Sequence, residues 1–237
     1  MGELESFEQI YQRACERKGG PKKLAALLGK PLPPSQLEKV GDDRFLAEFT
    51  KKVFQSGFVW RVVRDKWPDF ERVFFNFDID KILLMPDEMV EKKAQDPSII
   101  RNYNKVKTIR ENALMIESVR QQHGSFAKFV ANWPSHDIIG LWAYLKQHGA
   151  RLGGNTGAYG LRAVGKDTFL LSRDTVSYFA QRGIISGSAT SKRSHKAIQD
   201  AFNELHKQSN RSYQELSQIM SMSVGDNHIQ ADSHNDE

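Results

Sequence analysis

Apolar residues recur along this chain at three- and four-residue spacing, and no stretch alternates apolar and polar over the length of a strand. Phe7, Ile10, Tyr11 and Ala14 predict a first helix over Leu4 to Arg17, stopped by Gly19-Gly20. Short helices follow at Pro21 to Leu28 and Gln36 to Val40. Asp42 or Asp43 then opens a long helix that buries Phe45, Phe49, Val53, Phe54, Val59, Val62 and Val63 and ends at Trp67-Pro68. Asp69 to Asn76, Asp78 to Leu84 and Pro86 to Gln95 continue the helical pattern. A long helix over Asn104 to His123 turns Val106, Ile109, Ala113, Leu114 and Ile116 inward, and Ser125 to Asn132 follows it. The C-terminal third predicts helices over Thr175 to Arg182, Ser194 to Gln208 and Ser212 to Met222, with a polar loop at Ser186 to Lys192. The fold class is all-α.

One junction in this pattern has chemical content. Ile138, Leu141, Trp142 and Leu145 mark a helix with one buried face that stops at Gly149, and Leu152 to Asn155 turns into a second helix starting near Thr156, whose hydroxyl can cap it. A glycine-rich hairpin between helices brings backbone amides close to a phosphate oxygen, and the helix N-terminus adds aligned donors. The same residues also fit an ordinary helix-to-helix turn with glycine as C-cap. Arg162, Lys166 and Arg173 follow the hairpin, and Asp174 lies about twenty residues beyond Gly154 in the run Ser172 to Val176.

Composition narrows the picture. At 237 residues and 39% hydrophobic content the chain can bury a sizeable core, as one domain or two interlocked lobes over residues 1–222. The net charge is +5, and the four acidic residues of 225–237, a stretch without Lys or Arg, leave +9 on the rest, which favours a polyanionic partner. Beyond Ser223 the polar, acidic composition predicts a disordered tail. The single cysteine, Cys15, excludes an internal disulfide and points to the reducing cytoplasm. No apolar run approaches a membrane span, and the acidic start does not fit a signal peptide.

The hairpin, the short helix, the apolar stretch and the aspartate followed by Thr-Val together resemble the two-lobed helix-hairpin-helix superfamily of DNA base-excision glycosylases. Within it, Asp96-Pro97-Ser98-Ile99-Ile100-Arg101-Asn102, with Lys105, Val106, Asn112 and Ala113, resembles the DNA-3-methyladenine glycosylase I family. So does Gln55 to Trp60, similar to that family's Gln-Ala-Gly-Leu-Ser-Trp, while Gly154-Asn155-Thr156 is similar to its Gly-Thr-Thr. The resemblance spans roughly Phe45 to Ile185.

It implies hydrolysis of the N-glycosidic bond of an alkylated purine in double-stranded DNA, with no cofactor; a monomer in the bacterial cytoplasm, nucleoid-associated and with no membrane partner, is the default expectation. Gly153, Gly154, Asn155, Thr156 and Gly157 would bind a backbone phosphate, aided by Arg162, Lys166 and Arg173. Trp60 matches the family's pocket tryptophan, with Phe49 and Phe58 as neighbours; each also fits a core role. Asp174 matches the superfamily's carboxylate, which would stabilise positive charge on the sugar and orient water, and it also fits a helix N-cap.

Two departures from the family pattern and one missing superfamily residue matter. Lys52 stands where the family has a pocket glutamate, eight residues before the tryptophan, with Glu48 one turn away as the nearest carboxylate. The family's zinc site has no counterpart, so no metal is expected. The superfamily position of the Schiff-base lysine is Ala158, which predicts a monofunctional enzyme, with Lys52 as the other candidate amine. The alternatives are a non-catalytic sensor of damaged DNA or DNA structure with the same fold, and a helical scaffold for protein contacts.

Overall fold

Fourteen residues that begin with two acids and bury every third or fourth side chain make the central helix of the larger unit. In the computed structural model, which describes residues 2–225, this helix spans Asp42–Gln55 and buries Phe45, Leu46, Phe49, Val53 and Phe54. The described residues are helical and loop, without a strand, in agreement with the all-α pattern. They divide into two units, one built from both ends of the chain, up to Pro31 and from Asp167, and the other from Leu32–Lys166.

The terminal unit begins with α1 (Phe7–Lys18), held by a capping box between Ser6 and Gln9, and α2 (Pro21–Leu27). The larger unit contains α3 (Pro34–Leu37), α4 (Asp42–Gln55), α5 (Trp60–Asp65), α6 (Trp67–Val73), α7 (Ile79–Leu83), α8 (Asp87–Ala94), α9 (Tyr103–His123), α10 (Phe126–Asn132), α11 (Ile138–His148) and α12 (Asn155–Ala163). The chain then returns to the terminal unit as α13 (Arg173–Gln181), α14 (Lys192–Ser209) and α15 (Tyr213–Met222). There, Phe169 stacks on Phe202 at 4.5 Å between ring centroids, and α1 packs on α15.

In the larger unit α4 is sandwiched between α9 and α12. Phe45, Phe49 and Phe126 meet edge to face at 5.3 and 5.9 Å, and Asp42 caps α10 by accepting from the amides of Phe126 and Ala127. The approach of α12 to α4 needs glycine. A Cβ on Gly160 would lie 2.5 Å from the ring of Phe49, which is fully buried. Gly157 is equally constrained, since its Cβ would lie 2.6 Å from the carbonyl oxygen of Leu152.

Several expected elements differ. The long helix expected from Asp42 to Trp67 is broken at Ser56 to Val59, where Gly57 takes a φ of +69°. Val59 is therefore 62% exposed instead of buried, while Val63 remains in the core. Trp67-Pro68 starts α6 rather than ending a helix, because proline at a first-turn position loses no hydrogen bond. Leu114 faces solvent, since α9 is covered on the face that carries Ala113 and Ile116. Of the expected tail, Ser223 is buried and its carbonyl accepts from Arg13 Nε at 3.1 Å; residues 226–237 lie outside the described residues.

The Gly160 contact sets a stability test. Gly160→Ala forces a methyl group into a packed ring, and overpacking of this kind costs about 1–3 kcal/mol. The urea midpoint should fall accordingly with an unchanged slope, and an unaltered midpoint would mean that α4 and α12 are less tightly joined than described.

Candidate base-binding cleft and phosphate-binding hairpin

The break after α4 leaves Phe58, Val59 and Trp60 exposed in sequence, an unusual placement for three large apolar residues. The C-terminal carbonyls of α4 are held at this break by Lys105 of α9, which donates to the Phe54 carbonyl at 3.1 Å and the Ser56 carbonyl at 2.7 Å. Burial, with the charge of Arg151 nearby, lowers the pKa of Lys105. Its ammonium lies 5.9 Å from the ring centroid of Phe58.

Trp60 starts α5 and stands edge to face on Tyr159 of α12, 6.4 Å between centroids. Between them lies a cleft of about 250 Å³ lined by Lys52, Gln55, Ser56, Gly57, Trp60, Asn155, Thr156 and Tyr159. Trp60 is 54% exposed, so part of the residue is open to a ligand. The Lys52 ammonium donates to Gln55 Oε1 at 3.2 Å and lies 6.0 Å from the Trp60 ring centroid. Burial lowers its pKa, opposed in part by Glu48 and assisted by Lys51. Among the described residues no carboxylate comes within ion-pair distance of Lys52, because Glu48 pairs with Lys51 at 2.9 Å instead.

The hairpin borders the same cleft. Arg151 takes a left-handed φ of +57° at its tip, and Gly154, with φ +60° and ψ −134°, is the N-cap of α12. A residue with a Cβ avoids that backbone region, so glycine is required at Gly154. Asn112, fully buried in α9, clamps the hairpin from below: its Oδ1 accepts from the Ala150 amide at 2.7 Å and its Nδ2 donates to the Ala150 carbonyl at 3.1 Å. No side chain caps α12, and the amides of Gly153 and Gly154 donate to nothing among the described residues. Lys146 lies along Gly153, and Arg151 is exposed beside it, so two cations flank these open donors.

This arrangement sorts the expected site residues. Lys52 and Trp60 line the cleft with Asn155 and Thr156; Phe58 is exposed beside Lys105. Phe49 does not reach the cleft, being fully buried against Phe45, Phe126 and Gly160, and Glu48 is turned to Lys51. The Thr156 hydroxyl does not cap the helix, which starts one residue earlier. The Gly157 amide is spent within the hairpin on the Leu152 carbonyl at 3.2 Å. Lys166 is buried and donates to the Trp133 carbonyl, so it staples the end of the unit and is not a surface cation. Arg162 is partly buried, and Arg173 is exposed on α13. Ala158 is fully buried, so an amine at that position would have no access to solvent.

Asp174 is in the first turn of α13 without being its cap. Ser172 performs that role, accepting from the Thr175 amide at 3.2 Å, and Asp174 accepts from the Ser221 hydroxyl at 3.4 Å. The N-cap explanation of this aspartate is thereby removed. The sequence pattern did not single out Tyr159, and it placed Gln55 and Asn112 in family-like motifs without giving either a role. Tyr159 was detectable, since it stands one helical turn beyond Asn155 and must share its face.

The comparisons with known proteins bear on the larger unit most directly. Residues 38–159 match the methyladenine glycosylase family. The chain belongs to that family. All the cleft and hairpin residues lie within the match, and Asp174 lies outside it. The chain is similar to DNA-3-methyladenine glycosylase 1 of Escherichia coli, at 33% identity over 82 residues, 35% of this chain and 44% of that protein, and so spans less than half of that relative's length. It is also similar to the solved 3-methyladenine DNA glycosylase I of Staphylococcus aureus, at 21% identity over 66% of this chain and 91% of that one, TM-score 0.48. The 8-oxoguanine glycosylase/lyase of Methanocaldococcus jannaschii, solved with DNA containing 8-oxoguanine, aligns over 90% of this chain and 95% of its own at 14% identity, TM-score 0.53, which establishes the helix-hairpin-helix glycosylase fold.

The Asn112 clamp is testable without a ligand. Asn112→Ala leaves the part-buried Ala150 backbone groups without their partner, at the lower end of about 1–3 kcal/mol. Global stability should fall by that amount, and amide exchange from Ala150 to Gly154 should accelerate more than elsewhere in the unit; uniform acceleration would deny Asn112 its specific hold on the hairpin.

Proposed function

We propose that this protein is a monomeric base-excision DNA glycosylase that hydrolyses the N-glycosidic bond of an alkylated purine in double-stranded DNA. The observation that carries the reading is the cleft itself: an exposed tryptophan face, a tyrosine wall and a few polar groups, opening beside two unused backbone amides of a glycine hairpin. An extruded base needs an aromatic slot, and a duplex held while its base is out needs phosphate donors. The family's activity, methyladenine glycosylase, supports the same reading.

In this account the amides of Gly153 and Gly154, with Asn155 and Thr156, bind a backbone phosphate, and Lys146 and Arg151 add positive charge, as does Arg173 from α13. Asp174 is the proposed carboxylate: it would stabilise oxocarbenium-like charge on the sugar and orient the water that replaces the base. Support comes from its sequence position and from Ser172 having taken over the capping role. Water adds at the sugar carbon as the base departs with the bonding pair, the water's proton passes to the carboxylate, and a base that departs as an anion takes a proton from solvent. No amine is proposed to attack the sugar, so the product is an uncut abasic site.

Base release from alkylated DNA, with products identified by mass, tests this. Asp174→Asn should lower the release rate by about 10²-fold or more while leaving duplex affinity intact. Duplex affinity should fall steeply between 50 and 200 mM salt, roughly in proportion to the phosphates contacted. Full activity in the variant would remove Asp174 from the chemistry, and intact DNA binding with no release from any alkylated duplex would leave a damage sensor.

A further inference from the structure

The cleft contains one charged side chain, and its charge has a consequence for the ligand. Lys52 is half-buried, has no carboxylate partner among the described residues, and spends one hydrogen bond on Gln55, leaving an ammonium with further donor capacity in an aromatic slot. A base stacked on Trp60 in a cleft this small comes within a few ångströms of Nζ. A purine alkylated at a ring nitrogen carries a fixed positive charge, which this ammonium repels in a partly desolvated site. A neutral alkylated purine with a lone pair on its edge accepts a hydrogen bond from it.

We infer that Lys52 is a specificity-determining residue that selects neutral alkylated purines bearing an edge acceptor, such as the exocyclic-ring adduct ethenoadenine, and excludes N-alkylated cationic purines. This rests on the cleft being the base pocket proposed above, and it narrows the substrate class within that reading. The charges acting on Lys52 are Glu48 and Lys51 of its own helix, while α5 and α12 contribute the uncharged Trp60, Asn155 and Thr156 and the phenol of Tyr159. Burial lowers the Lys52 pKa, so the ammonium is present below that value and lost as pH rises through it, short of the ordinary lysine value of 10.5. The selectivity should weaken across the same interval.

The test is binding of two free bases to the full chain by equilibrium dialysis, with ethenoadenine as the neutral probe and a doubly N-methylated adenine of fixed positive charge as the cationic one. The native protein should favour ethenoadenine by tenfold or more. Lys52→Met, close in length and uncharged, should bring the two affinities within about threefold and remove the pH dependence; Lys52→Glu should reverse the order. Circular dichroism of each variant checks that the helices are retained. Preference of the native protein for the cation, or a ratio unmoved in both variants, overturns the inference, and so does failure of ethenoadenine to bind. Because binding is read without catalysis, a protein that selects ethenoadenine and releases no base from ethenoadenine-containing DNA would refute the glycosylase reading while sustaining this one.

Discussion

The close approach of α12 to α4 is the constraint on which the rest depends. Gly160 lets the α12 backbone rest on the ring of Phe49, and Gly157 lets the start of α12 fold over the Leu152 carbonyl. With bulkier residues the two helices would separate, and the cleft between the end of α4 and the start of α12 would open into a surface groove. The same contact fixes the hairpin, because α12 begins at Gly154 and the hairpin is its N-terminal extension. The cleft and the open hairpin amides are therefore positioned by one packing event, and in the proposed function a base and a backbone phosphate would be read by one element.

Around that contact the polar groups are divided between structural and open roles. Lys105 and Asn112, both on α9, hold the backbone ends of α4 and of the hairpin. Lys166 holds the Trp133 carbonyl. Lys52, Arg151, Lys146 and the amides of Gly153 and Gly154 are left at the surface of the site. Cations in the two groups look alike in composition, and only burial separates those that build the site from those that face a ligand.

The sequence pattern predicted nearly every helix, because amphipathic spacing and terminal glycines and prolines carry that information locally. It predicted the hairpin and the tryptophan for a different reason: both needed a resemblance to give them meaning. What escaped it was decided by packing. The Gln55 to Trp60 segment reads as uninterrupted helix in its apolar spacing, yet the chain breaks at Gly57, and that break is what exposes Trp60. Phe49 has the spacing of a pocket neighbour and is core because Gly160 invites its ring. Glu48 sits one turn from Lys52, and its pairing with Lys51 depends on rotamers that spacing does not encode.

In the proposed reaction a modified base leaves the duplex for the slot beside Trp60 while the hairpin holds the backbone. The most direct measurement is a crystal structure of the full chain with a duplex carrying one ethenoadenine nucleotide whose 2′-fluoro sugar resists hydrolysis. The base should be stacked on Trp60 with its edge toward Lys52, and a phosphate oxygen should lie on the amides of Gly153 and Gly154. A base still stacked in the helix, or a duplex bound away from the hairpin, would contradict it.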